Sequence, residues 1–235
     1  MTGKTVKAKC GAMRMRCVLS AIVAAAALFA APGCTRVVTG RPAASALSGV
    51  DAQAPVVAAP KRSVCEEVLA PLSPIQARSP AEPVLRIPQP PGWQRASGLD
   101  SEIVRYAMSN QDLAGNGFMP TAVVTLESGP GTDKDQQKIF DQERATLSDR
   151  LGVTNMRTTE TTLCGHKAEL VSYDAPAMGQ IPPRKAMTLI VIAEFSGNDY
   201  AATVTVQAAD PDNPTYVRDS QAILTGFQML PPDKG

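Results

Sequence analysis

Alternating apolar and polar side chains predict a domain built mainly of β-strands over residues 63–235. The longest apolar run, from Met187 to Ala193, predicts a central strand covered on both faces. The predicted strands span residues 84–87, 103–108, 121–127, 153–163, 167–173, 185–195 and 200–208. Four of these strands follow one another with no helix between them, which predicts an antiparallel α+β domain, an antiparallel sheet covered by helices, instead of an alternating βαβ fold.

Three helices are predicted in the same domain from their capping residues. Ser63 is a candidate N-cap for a short helix over residues 64–72, and Thr132 is one for a second helix that ends at Gly152. Asn213 followed by Pro214 predicts the start of the third helix. The second helix has a narrow apolar stripe, so one side should lie on a sheet and the other in water; the stripe contains Ile139, Phe140, Leu147 and Leu151.

Two dipeptides and the single tryptophan add local detail to this domain. Asn116-Gly117 and Gly197-Asn198 predict turns between neighbouring strands, because both contain residues that accept positive φ angles. Trp93 is the only tryptophan of the chain, and we expect it to anchor the core.

The first 33 residues have the pattern of a secretory signal peptide. Five basic residues occur in this stretch, and Val18–Ala31 is a run of fourteen uncharged residues. That run is too short for a transmembrane helix, which needs roughly 20 residues, but it fits the apolar region of a signal peptide. The segment Ala31-Pro32-Gly33-Cys34 resembles a bacterial lipobox and predicts lipid attachment at Cys34. An ordinary signal peptide with a chance cysteine is the alternative.

Residues 34–62 are predicted to be a disordered tether. The segment is rich in Ala, Pro, Ser, Thr, Val and Gly, and it shows neither a helical nor a strand period. With lipid on Cys34, the tether would hold the domain at the extracytoplasmic face of the cell membrane, with the membrane as a partner.

The charge distribution argues against nucleic acid as a partner. The chain has 23 Lys and Arg residues against 22 Asp and Glu, but the first 33 residues contain five bases and no acid. Removal of these residues leaves an acidic protein, whereas phosphate backbones require a basic surface. Aromatic residues make up only 4% of the chain, and it has a single histidine, so stacking surfaces and His-rich metal sites are not expected.

Cysteines and the histidine are the candidate chemical groups. Cys65 and Cys164 form an even pair in an exported chain, which predicts a disulfide. The alternative is a reactive Cys164 thiol with His166 two residues away, or a hydrolase site in which His166 acts with Ser172 and Asp174. No Gly-x-Ser-x-Gly motif accompanies these residues, and each has a simpler structural role. We therefore predict no catalytic residues, no metal site and no cofactor.

Several segments together resemble a known family. They are Ile87-Pro88 through Gly92-Trp93, Phe118–Val124, the helix after Asp133, Leu163–Ala168 and the long antiparallel pair. In these segments and in element order the sequence resembles the LpqN/LpqT family of mycobacterial lipoproteins. The resemblance implies a PsbP-like α/β/α sandwich and a place in the cell envelope, and it provides no catalytic residues to transfer.

Three functions follow as hypotheses. The first is a non-catalytic binding or scaffold module of the cell envelope, with an envelope protein as a partner. The second is a carrier or chaperone of lipid or another apolar ligand, which needs an apolar cavity. The third and least favoured is a hydrolase. Five methionines are candidates to line such a cavity, with core packing as the alternative: Met119, Met156, Met178, Met187 and Met229.

Overall fold

A computed structural model describes residues 65–131 and 136–233. The predicted signal peptide, the tether and Cys34 lie outside these residues, as do the cap residues Ser63 and Thr132. The described elements are β1 (Leu72–Ile75), β2 (Val84–Pro88), β3 (Trp93–Arg95), β4 (Val104–Asn110), β5 (Thr121–Pro130), α1 (Gln136–Leu151), β6 (Thr154–Leu163), β7 (His166–Ala175), β8 (Arg184–Phe195), β9 (Asn198–Ala208), α2 (Pro214–Thr225) and β10 (Gln228–Leu230). Neither helix is long and apolar enough to cross a membrane.

A seven-stranded antiparallel sheet forms the centre of the molecule, in the order β3-β4-β5-β9-β8-β7-β6. A second antiparallel sheet has the order β1-β2-β10. The predicted α+β class is therefore confirmed. The apolar run from Met187 to Ala193 lies in β8 between β9 and β7, and all of its side chains are buried except the partly buried Met187. β8 is thus the interior, doubly covered strand that its sequence predicts.

Tight turns connect the long strands. Asn116 and Gly117 have φ angles of 52° and 75°, which confirms the predicted turn. The β8–β9 turn is formed by Ser196 and Gly197, and Asn198 already pairs with Phe195, so the predicted turn at Gly197-Asn198 is shifted by one residue. Two consecutive positive φ angles match the right-handed twist of the flanking strands, which is why such turns close hairpins.

Helix α1 covers one face of the large sheet. Phe140 and Leu147 are buried against a cluster that includes Val171 and Ile190, while the opposite side of the helix faces water. An ion pair between Arg144 and the buried carboxylate of Glu169 links the helix to β7. After Leu151 the chain turns at Gly152, whose φ of 62° ends the helix as predicted.

Helix α2 and the small sheet cover the other face. Asn213 caps α2 by accepting hydrogen bonds from the N–H groups of Thr215 and Tyr216, which confirms the predicted start of this helix. Trp93 is only 2% exposed, and its Nε1 donates a hydrogen bond of 3.0 Å to Oδ2 of Asp219 on α2. The tryptophan is therefore a core anchor, and it also provides a hydrogen-bond donor for the buried carboxylate of Asp219.

The predicted helix over residues 64–72 is wrong within its described part. Residues 65–71 form no helix, and Leu72 already begins β1. Two contacts keep this segment from forming a helix: a disulfide at Cys65, and packing of Val68 against Gly226 at the end of α2. Pro71 also disfavours a helical conformation at the residue before it. These contacts outweigh the local preference for a helix that Ser63, Glu66 and Glu67 give to the sequence.

Candidate binding groove

A groove of about 820 Å³ lies between α2 and the face of the sheet formed by β6, β7 and β8. Alternate residues of a strand share one face, so Leu170 of β7 and Met187 of β8 point into the groove from the sheet. On the helix side, Val217 and Leu224 are seven residues apart and thus lie on the same side of α2. The lining is mainly apolar, and the groove is open to solvent.

Val217 is unusual among these residues because it is 47% exposed. The other apolar residues of the lining are less exposed: Leu224 and Tyr216 are buried, and Leu170 and Met187 are partly buried. Burial raises the pKa of the Tyr216 phenol above its ordinary value, with a smaller contribution from Tyr173. Tyr216 therefore stays neutral and adds an apolar ring to the wall of the groove.

The other end of the groove is charged. Asp174 accepts hydrogen bonds of 2.7 Å from Lys185 Nζ and 2.7 Å from Asn155 Nδ2. The hydrogen bond from Lys185 is the main reason that the pKa of Asp174 lies below its usual value, and the charge of Arg157 contributes in the same direction. Two cations thus face one carboxylate, which leaves this end of the groove with a positive charge.

No motif in the sequence points to this groove. Of its lining residues, three were candidates for function: Met187, Ser172 and Asp174. Asp174 does not act with His166 but with Lys185 and Asn155. Arg157 and Lys185 could have been recognised in the sequence as candidate binding residues, because both are cations in otherwise strand-forming segments. Their convergence depends on the register that places Arg157 opposite Ser172 and Asp174 opposite Lys185.

The structure joins Cys65 and Cys164 in a disulfide with an Sγ–Sγ distance of 2.06 Å. Cys164 and Gly165 form the two-residue turn between β6 and β7, with φ angles of 50° and 83°. The bond ties the start of the described domain to this hairpin. A sulfur in a disulfide has no thiolate to attack a substrate, so in this arrangement Cys164 is not a nucleophile.

His166 is half-buried and contacts an aromatic ring and a backbone carbonyl. Its ring lies edge-on to Phe195 at a centroid distance of 5.4 Å, and it donates a hydrogen bond to the carbonyl of Met229. Burial lowers its pKa, and the hydrogen bond to Met229 partly opposes that effect. Ser172 lies on the same face of β7 but six residues away, a separation of roughly 20 Å along the strand. The structure therefore does not bring His166, Ser172 and Asp174 together.

The other candidate methionines have separate positions. Met229 is fully buried in the core, Met156 is 37% exposed on β6, and Met178 forms an isolated bridge with Ile181. Met187 is the only one of the five that lines the groove. Over residues 65–131 and 136–233, no group of three or more His, Cys, Asp or Glu side chains is placed to hold a metal ion.

Comparisons with known proteins give similarity at the level of structure. No family model matches the sequence, and no curated protein matches it significantly. The crystal structure of LpqN, a protein involved in cell envelope biogenesis of Mycobacterium tuberculosis, has 18% identity and a TM-score of 0.54, covering 68% of this chain and 91% of LpqN. The Ran-binding protein Mog1p of Saccharomyces cerevisiae has 12% identity and a TM-score of 0.43, covering 69% of this chain and 97% of Mog1p. The LpqN likeness shows a shared α+β fold, and it supports the resemblance found in the sequence as a distant structural relationship.

Proposed function

We propose that this chain is a non-catalytic binding module of the cell envelope, anchored at the extracytoplasmic face of the membrane through a lipid on Cys34. The observation that carries the proposal is the groove between α2 and β6–β8. The lipobox-like segment before Cys34 supports the anchor, and the fold shared with LpqN, a protein involved in cell envelope biogenesis, supports the location.

The size and lining of the groove support ligand binding. Its volume of about 820 Å³ lies within the range of ligand sites in proteins, which is roughly 300–1,000 Å³. Such sites combine a mainly apolar surface with a few polar groups that orient the ligand. Here Leu170, Met187 and Val217 provide the apolar surface, and Arg157 and Lys185 provide the polar end.

The structural roles of the reactive groups favour binding over catalysis. A nucleophile needs a neighbouring base, and the base needs a third group that orients it. Cys164 is used in the disulfide, and Asp174 is paired with Lys185. His166 contacts Phe195 and Met229. We expect His166→Ala to keep ligand binding, because His166 does not line the groove.

A carrier of lipid or another apolar ligand is the second candidate, and the exposure of Val217 favours it. An exposed valine beside an open apolar groove leaves apolar surface in water until a ligand covers it. A scaffold and a carrier differ in a measurable property, because only a carrier transfers its ligand between membranes. Transfer of a fluorescent fatty acid from donor to acceptor vesicles therefore distinguishes the two functions.

The groove is tested with Val217→Asp, which places a carboxylate on its apolar wall. Val217 is half-exposed, so the variant should fold. Gln142→Asp is the matched control, because it adds the same group to the exposed side of α1. We expect the neutral probe N-phenylnaphthylamine to bind the native protein and the control equally, and Val217→Asp at least about tenfold more weakly, a difference of about 1.4 kcal/mol. Equal binding by all three proteins would contradict the groove as the binding site.

The anchor is tested separately in cells. Cys34→Ala removes the predicted site of lipid attachment and should move the protein from the membrane fraction to the soluble fraction. Mass spectrometry of the native N-terminus should find an acyl-modified Cys34. A native protein without a lipid that still sediments with membranes would refute the anchor but leave the groove proposal intact.

A further inference from the structure

A second pocket, with a volume of about 550 Å³, is lined by the segment after β1 and by β3 and β4. Three arginines contribute to it: Arg78, Arg95 and Arg105. Its lining is predominantly polar, and it shares no residue with the groove at α2. We call it the arginine pocket.

Arg105 is the fixed element of the arginine pocket. Its side chain is only 5% exposed, and its guanidinium holds Glu82 through contacts of 2.5 Å and 3.1 Å. A further hydrogen bond of 3.3 Å reaches the carbonyl of Gln76. Burial by itself would raise the pKa of Glu82, but hydrogen bonds from Arg105 and from the Arg78 N–H hold it below its usual value. Arg105 therefore faces a fully ionised carboxylate at neutral pH.

Arg95 is paired in the same way but is less buried. Its Nη2 donates to both carboxylate oxygens of Asp100, at 2.6 Å and 2.7 Å, and its Nη1 donates to the carbonyl of Ala107 at 2.9 Å. The guanidinium also lies 4.2 Å from the centre of the Tyr106 ring. Stacking on Tyr106 and pairing with Asp100 together orient the flat cation along one wall of the pocket.

Arg78 differs from the other two because carbonyl groups, not a carboxylate, accept the hydrogen bonds of its guanidinium. Nη1 donates to the carbonyl of Glu102 at 2.8 Å, and Nη2 donates to the carbonyl of Ser101. Within the part of the chain that the structure describes, its guanidinium forms no ion pair. The Glu102 side chain is exposed and does not line the pocket. Among the described residues, three guanidinium groups thus face two carboxylates, which leaves an excess of one positive charge. The charge of Arg78 acts on Glu82, which Arg105 already holds.

We propose that the arginine pocket is an anion site that takes a phosphate monoester carried on a small polyol. A guanidinium has five N–H donors in a planar fork, which suits the oxygens of a phosphate, and Arg78 uses only two of them in the hydrogen bonds described above. The volume exceeds that of a phosphate alone, and the polar lining matches a hydroxylated body better than an acyl chain. The site is distinct from the groove, so the outcome of either test is independent of the other.

Titration calorimetry of the full-length protein with glycerol 3-phosphate tests this site, and glycerol serves as the uncharged control. We expect glycerol 3-phosphate to bind at one site, with an affinity that falls as sodium chloride is added, because the main attraction is between exposed charges. Arg78→Gln should weaken binding at least about tenfold. Arg86→Gln is the matched control, since Arg86 is an exposed arginine on β2 outside the pocket, and it should bind like the native protein.

A change in folding is separated from a change in binding by a second variant. Arg78→Lys keeps the positive charge but loses the planar fork, so its affinity should lie between those of the native protein and Arg78→Gln. Urea unfolding of each variant shows whether the hydrogen bonds to Ser101 and Glu102 are needed for stability. If Arg78→Gln fails to fold, Arg78→Lys alone decides the outcome, and native affinity in that variant contradicts the proposal.

The same phosphate chemistry is present in a lipid headgroup and in a free metabolite. Co-sedimentation of the protein without its lipid anchor with phosphatidylcholine vesicles, with and without phosphatidic acid, distinguishes these sources. Binding to phosphatidic acid that depends on Arg78 identifies a headgroup site, whereas binding of glycerol 3-phosphate alone identifies a soluble ligand. Absence of binding in both assays, or equal affinity of Arg78→Gln and the native protein, overturns the proposal.

Discussion

Glu143 should make the folded protein less stable at neutral and alkaline pH. It lies on α1 between Phe140 and Leu147, the two residues that pack on the sheet, and it is partly buried. Burial raises the pKa of its carboxyl from 4.5 to about 7, with a further contribution from the charge of Glu127 on β5. Replacement by glutamine keeps the shape of the side chain and removes the ionisable group.

The sign of the effect follows from proton binding by the two states. Between pH 4.5 and about 7, Glu143 keeps its proton in the folded protein and loses it in the unfolded chain. Stability therefore falls as the pH rises through this window and stays low above it. One pKa unit corresponds to about 1.4 kcal/mol, so a shift from 4.5 to about 7 amounts to roughly 3 kcal/mol as an upper limit.

Urea unfolding of the native protein and of Glu143→Gln, at about pH 4 and about pH 8, measures this difference. The two proteins should have similar stability at the lower pH, and the variant should be more stable by about 1–3 kcal/mol at the higher pH. Glu160→Gln, on the exposed edge strand β6, is the control and should show no such dependence. A stability difference between the native protein and Glu143→Gln that is the same at both pH values would refute the reasoning.

Three further predictions concern stability and are checked by urea or thermal unfolding. Serine at both positions of the disulfide should cost a few kcal/mol, up to about 4.7 in the chain-entropy model for a loop of this length, and should abolish the effect of dithiothreitol on stability. Asp219→Ala should cost about 1–3 kcal/mol, because it leaves the buried Nε1 of Trp93 without its acceptor. Gly226→Ala should cost about 1–3 kcal/mol, because the added methyl group overlaps Val68, and Val68→Ala should recover part of the loss.

The sequence was most informative where the determining signal is local. Helix α1 ends at Gly152 because a glycine accepts the positive φ angle that stops a helix, and α2 begins after Asn213 because that side chain caps two N–H groups. The apolar run of β8 likewise predicted a strand covered on both faces. Each of these conclusions depends on residues within a few positions of one another.

The short strands and the wrong helix show the limit of local signals. β1, β3 and β10 have only three or four residues, and β10 pairs with β2 from the other end of the domain. Residues 66–70 have helical character by themselves, but the bond at Cys65 and the contact of Val68 with Gly226 hold them in another conformation. Tertiary contacts decide such segments, because a short strand or helix gains too little from its own residues to be stable alone.

The candidate sites also differ in whether the sequence or the tertiary structure determined them. By itself the sequence determined the α+β class, the positions of the long elements and the pair of cysteines available for a disulfide. It also offered His166, Ser172 and Asp174 as a hydrolase site, but only the extended geometry of β7 showed how far His166 lies from the other two. The groove at α2 and the arginine pocket were decided by tertiary structure alone. Each combines residues from segments far apart in the chain, and their meeting depends on strand register and helix packing, which are fixed by burial and hydrogen bonding over the whole domain.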